Sequence, residues 1–250
     1  MSLHPEASIL FSQLSEPFTG ESLFDGLHDT VYFIKNAAGQ YVVVNETLVQ
    51  RCGLKRKSQL IGRTSEEILR PPFGHSFTRQ DQALLQSGKP LVGQLELHLY
   101  ASRDVGWCLT NKYALTGRDG GRIGLVGFSR DLDKHNESTE DYQRLGSAIR
   151  FAQESLAHPI SVTEMAETAG LSRYQLDRRM RIVFGLNTGQ WLLKQRIDRA
   201  CELLQTTQKS IIDVALETGY ADQSAFTRQF GRATGISPSQ YRKVELRTQE

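Results

Sequence analysis

One pattern is written twice in the last third of the chain, from Ser161 to Met180 and again from Ser210 to Phe230. Each copy opens on a serine able to cap exposed helical amides, Ser161 or Ser210, and carries a small residue, Ala166 or Ala215, where a second helix can come close. A glycine follows, Gly170 or Gly219, where the chain needs a left-handed turn that other residues adopt only at a cost. Leu171 or Tyr220 plugs the corner. A second cap, Ser172 or Asp222, starts another helix, whose apolar residues sit four apart on one stripe: Leu176 with Met180, and Phe226 with Phe230. Each copy is therefore predicted to be a helix-turn-helix, with the outer face of its second helix polar and partly basic.

Between the copies, Thr188 to Gln205 reads as one continuous helix of about eighteen residues, roughly 27 Å at 1.5 Å per residue. A rigid connector of that length suits two reading helices that enter successive turns of a duplex about 34 Å apart. Net charge is only +2, so overall basicity gives no argument for nucleic acid. The distribution does: Arg173 to Arg247 hold thirteen Lys/Arg against seven Asp/Glu, whereas the first 135 residues are nearly balanced, fifteen against fourteen.

Tyr142 to Lys243 resemble the DNA-binding domain of AraC/XylS-type transcription regulators. The closest likeness runs from Ile211 to Phe230 and continues through Gly235, Ser237, Pro238, Tyr241 and Arg242. The resemblance implies an all-α domain with two helix-turn-helix units and double-stranded DNA as partner, with RNA polymerase as a further one. Helix period and resemblance together give the candidate DNA-facing residues: Tyr174, Asp177, Arg178 and Arg181 in the first unit, and Gln223, Ser224, Thr227 and Arg228 in the second. Arg232, Arg242 and Lys243 are placed against phosphate. Asp177 has two readings, accepting from cytosine or pairing with Arg173 or Arg181. The chain departs from the family at Gly231, usually basic, and at Ala225, usually bulkier.

The first half reads differently. Thr30 to Lys35 and Tyr41 to Asn45 form a hairpin around Gly39, helical text in short pieces follows to Gln86, and three strands complete it: Leu91 to Tyr100, Gly106 to Leu115 and Arg122 to Arg130. That order predicts an α+β antiparallel sheet with helices on one face. It resembles a PAS domain over residues 22 to 133, on the segments Asp29–Lys35, Gly39–Asn45, Leu60–Thr64 and Ile123–Asp131. The division expected is an N-terminal extension, 1–21, the PAS-like domain, 22–133, a linker, 134–140, and the reader, 141–250. The resemblance implies a module that senses a small molecule or pairs with a second copy. An apolar effector would lie between sheet and helices, against Phe33, Val43, Leu97, Trp107, Tyr113 and Phe128. Alternation of apolar residues on strands also describes an ordinary core.

No bound cofactor is expected. Residues 68–75 lack the cysteine a flavin adduct needs, and His75, the one candidate haem ligand, reads as a surface loop residue. Cys52, Cys108 and Cys201 have no metal-like spacing, so no metal is expected, and the six histidines show no catalytic pairing. The cysteine cluster of the DNA-repair methyltransferases that share the AraC-like fold is absent. With no targeting or membrane-spanning run, the expectation is a cytoplasmic, non-enzymatic DNA-binding regulator under the control of its PAS-like half. The alternative is constitutive binding, with that half serving only dimerisation.

Overall fold

The computed structural model describes residues 4–69, 73–99, 105–132 and 140–244. The expected linker lies, but for its last residue, outside the described residues, as does the Pro71-Pro72 break. Two short helices lead in, α1 (Pro5–Ser12) and α2 (Glu21–Asp25), followed by strands β1 (Thr30–Asn36) and β2 (Tyr41–Val44). Three helices come next, α3 (Glu46–Arg51), α4 (Ser65–Ile68) and α5 (Phe73–Ser87), and then β3 (Leu91–Leu99), β4 (Val105–Thr116) and β5 (Arg122–Asp131). The strands form one antiparallel sheet in the order β2-β1-β5-β4-β3, so the first and last strands meet at its centre. This is the expected PAS fold.

Asn45 ties the sheet to its helices. Its Oδ1 accepts from the amides of Tyr32 (2.9 Å) and Leu48 (3.2 Å), and its Nδ2 donates to the carbonyls of Thr30 (2.7 Å) and Phe24 (3.0 Å). One buried side chain thus caps α3 and ties the end of β2 to the start of β1, with every polar valence filled.

The remainder is helical: α6 (Glu140–Glu154), α7 (Val162–Thr168), α8 (Arg173–Phe184), α9 (Thr188–Thr206), α10 (Ile211–Glu217), α11 (Gln223–Thr234) and α12 (Pro238–Tyr241). Helices α7–α8 and α10–α11 are the two expected helix-turn-helix units, and α9 joins them with nineteen residues. The caps are those read from the sequence: Ser161, Ser172, Ser210 and Asp222 each accept from an amide three residues on. Each such cap contributes about 1 kcal/mol. Leu176, Met180, Phe226 and Phe230 are wholly buried, each adding about 1.5–3 kcal/mol of hydrophobic stabilisation.

The two halves share a core. Leu95, Leu97 and Trp107, on the face of β3–β4 turned away from α3–α5, bury in the same cluster as Leu192, Phe230 and Ala233. Polar contacts rim this junction. Trp107 Nε1 donates to Asp198 (2.6 Å), whose other oxygen takes Lys194 (2.7 Å), while Gln190 donates to the Gly93 carbonyl (3.0 Å).

Candidate functional site

On α8, Leu176 and Met180 turn inward, which leaves Arg173, Tyr174, Arg178 and Arg181 exposed along one shallow groove that Ile182 completes. Tyr174 is 77% exposed. On α11, Phe226 and Phe230 turn inward in the same way, and Gln223, Ser224, Arg228 and Arg232 are exposed.

Two candidates have other partners. Asp177 Oδ1 accepts from the Thr188 amide (2.9 Å) and from the Thr188 hydroxyl, so its carboxylate sits on the N-terminus of α9. The expectation that it reads a base or pairs with a neighbouring arginine is corrected. A helix start is a site of partial positive charge with free amides, and it takes the acid first. Arg242 likewise donates to the Lys209 carbonyl (2.5 Å), bracing the approach to α10.

Thr227 is half-buried and lines an open crevice beside α11. Ser76, Arg79 and Gln80 of α5 form one wall, and Thr227, Gly231 and Gly235 the other. Gly231 therefore stands where the sensor half approaches the second reader helix.

Behind the β3–β4 face lies a cavity of ≈ 70 Å³ between sheet and helices. Phe33 lines it as expected, but the other five candidates do not. Leu97 and Trp107 are buried on the opposite face against the reader, Tyr113 is 43% exposed, and Val43 and Phe128 are half-buried away from the cavity. Side chains on a strand alternate, so a parity error of one moves every residue to the other face. The sheet's polar lining is Lys35, on the same face of β1 as Phe33, with Glu96, His98, Thr110, Lys112 and Ser129, on the opposite strand faces from Leu97, Trp107, Tyr113 and Phe128. Val31, Phe33, Tyr41, Leu48 and Phe77 line it as well, so the expected apolar lining holds in the main and carries a polar set on β3 and β4.

The polar groups form two linked sets. Asp81, 2% exposed, binds Lys35 with one oxygen (2.5 Å) and Lys112 with the other (2.6 Å). Burial would raise its carboxyl pKa, but the two ammonium groups win and hold it below the usual range. Lys35 also donates to Ser65 (2.7 Å), which meets the Tyr41 hydroxyl (3.1 Å). In the second set Gln80 donates to Glu96 (2.6 Å), whose other oxygen lies 3.2 Å from His98 Nε2. Burial would lower the His98 pKa, but Cys108 at 3.4 Å and Glu96 push it up to about 10.

Glu96, His98 and Cys108 bring one oxygen, one nitrogen and one sulfur within 4.8 Å of each other, the kinds of atom that bind transition metals. Sequence spacing hides this grouping, since it arises from the cross-strand pairing of Glu96 with Cys108. The Gln80 and His98 contacts already occupy the carboxylate. His75 is 58% exposed and pairs with Glu66 (2.9 Å), away from the cavity.

Residues 165–244 match the family model of a helix-turn-helix domain, and residues 24–135 that of the PAS fold. The chain is similar to YkgA of Escherichia coli (strain K12), 33% identical over 98 residues, 39% of this chain and 41% of YkgA. It thus spans less than half the length of that relative. It is 34% identical over 98 residues to the HTH-type transcriptional activator AarP of Providencia stuartii, 39% of this chain and 73% of AarP. LumQ of Photobacterium leiognathi is 23% identical over 224 residues, 76% of this chain and 86% of LumQ. Among the described residues no helix is long and apolar enough to cross a membrane.

Proposed function

Since the chain belongs to the AraC/SoxS-type family of DNA-binding transcription regulators and joins that reader to a PAS fold, we propose that a small molecule in the PAS cavity controls how it engages its operator. Strands β3 and β4 carry the argument. Alternate residues point in opposite directions: Glu96, His98, Thr110 and Lys112 face the cavity, while Leu95, Leu97 and Trp107 press on the reader. A ligand that shifts one face must shift the other, because close-packed interfaces switch rather than deform smoothly. Gln80 supplies a second link, holding Glu96 on one side and walling the crevice over Thr227 on the other.

In this reading Tyr174, Arg178 and Arg181 of α8, with Gln223, Ser224, Thr227 and Arg228 of α11, read base edges, and Arg232 meets phosphate. Nineteen residues of α9, about 28 Å, set the spacing between the two readers. Family membership brings RNA polymerase as the further partner. A second copy fits the N-terminal end, where Ile9, Leu10, Phe11, Leu14 and Phe18 are all at least 44% exposed, an apolar patch suited to pairing. That patch also favours the alternative in which the PAS half serves only dimerisation.

The test is Trp107→Ala, a change in the junction and outside every proposed DNA contact. With the operator selected from genomic fragments, the variant should shift operator affinity several-fold while the helical content of the reader is kept. A folded variant with the wild-type affinity and ligand response would refute coupling through β3–β4 and favour the dimerisation reading.

A further inference from the structure

Around the cavity Glu96 pairs with His98 and Arg51 with Asp131, while Lys35 and Lys112 share the one carboxylate that lies within hydrogen-bond distance of both among the described residues, that of Asp81. Both lysines are buried, at 2% and 3% exposure. Burying a net charge is costly unless a counter-charge accompanies it. An ammonium also carries three donors. Lys35 uses two of them, on Ser65 and Asp81, whereas Lys112 makes one hydrogen bond, to Asp81. Among the described residues no protein acceptor takes the other two protons of Lys112, and both lysines line the cavity. The Lys112 nitrogen stands 5.8 Å from the centre of the Phe33 ring and 5.8 Å from that of Phe77, so aromatic walls flank the charged head.

We propose that this cavity binds a small organic anion, its carboxylate received by Lys112 with Lys35 behind, and its apolar part between Phe33 and Phe77. The assignment rests on reading the cavity as the sensory site. Size limits the class: ≈ 70 Å³ holds about five to seven water-sized groups, which points to a monocarboxylic acid no larger than a single ring. The anion also gives the Lys112 ammonium acceptors beyond its one hydrogen bond to Asp81.

The experiment measures thermal unfolding of the full chain against monocarboxylates from acetate to benzoate, each beside its primary amide, at fixed ionic strength and pH 7. An amide keeps the shape and removes the charge. At least one acid should raise Tm by roughly 5–10 °C near hundredfold saturation, with its amide at least fivefold less effective. Lys112→Met should abolish the response, and the acid-against-amide comparison stands even if that variant fails to fold. No stabilising acid, or an amide as effective as its acid, overturns the anion assignment and leaves control by a neutral ligand standing. The same acids are then added to operator binding. An acid that stabilises the protein without changing operator occupancy supports the site and refutes its role in control.

Discussion

Gly170 and Gly219 occupy equivalent corners of the two helix-turn-helix units with similar left-handed backbones, φ 64° and 78°, yet alanine should act on them very differently. The left-handed conformation costs an alanine about 1–2 kcal/mol at either position. At Gly170 nothing lies within 4 Å of the added carbon, so Gly170→Ala should cost only that. At Gly219 the new carbon would stand 2.5 Å from the Leu156 carbonyl and 3.0 Å from that of His158, both main-chain atoms that cannot rotate away. Overpacking of this kind adds about 1–3 kcal/mol, for a total of roughly 2–5 kcal/mol. At about 2–4 °C of Tm per kcal/mol, Gly170→Ala should melt a few degrees below wild type and Gly219→Ala about 10 °C below. Urea unfolding followed by fluorescence of the buried Trp191 gives the same comparison as free energies. Equal losses at the two sites would refute the view that the second unit is braced by the chain entering the first.

Further predictions concern the reader and the cavity. Asp177→Ala should destabilise the chain by about 1–2 kcal/mol through the lost α9 cap, while sequence preference in a fragment-selection experiment stays that of wild type. Arg178→Ala and Arg228→Ala should each weaken operator binding by about 10- to 100-fold, measured by titration, with Tm unchanged because both are exposed. The His98 pKa is raised on folding, so its stabilising contribution is complete below the unfolded value of about 6.5 and is lost as pH climbs toward 10. The pKa values of Asp81 and Glu96 are lowered, so theirs is complete above about pH 4.5 and is lost as acid protonates the folded forms. Tm should therefore plateau between about pH 4.5 and 6.5 and decline on the alkaline side, and His98→Gln should flatten that decline.

Both folds were legible because their signals are local. Caps, glycine corners and four-residue apolar spacing specify α7–α8 and α10–α11, and alternation with turn residues specifies the strands. Which strand face looks inward was not legible at β3 and β4. Ordinarily the apolar face is the interior one, but here the cavity takes Glu96, His98 and Lys112, while Leu97 and Trp107 go to the back of the sheet. That inversion comes from a second domain packed on the sheet, and no single-strand pattern reports it. Asp177 was misread for a related reason. Its partner Thr188 is eleven residues away and meets it only once α8 and α9 cross.

The hydrophobic cluster common to Trp107 and the reader helices also bears on how such proteins can be recombined. Grafting these helix-turn-helix units onto a foreign sensor would strand Asp198, Lys194 and Gln190 against a surface without a tryptophan or a matching carbonyl. A working chimera must therefore carry over the outward half of two strands along with the helices, so the exchangeable unit begins inside the sheet rather than at the linker.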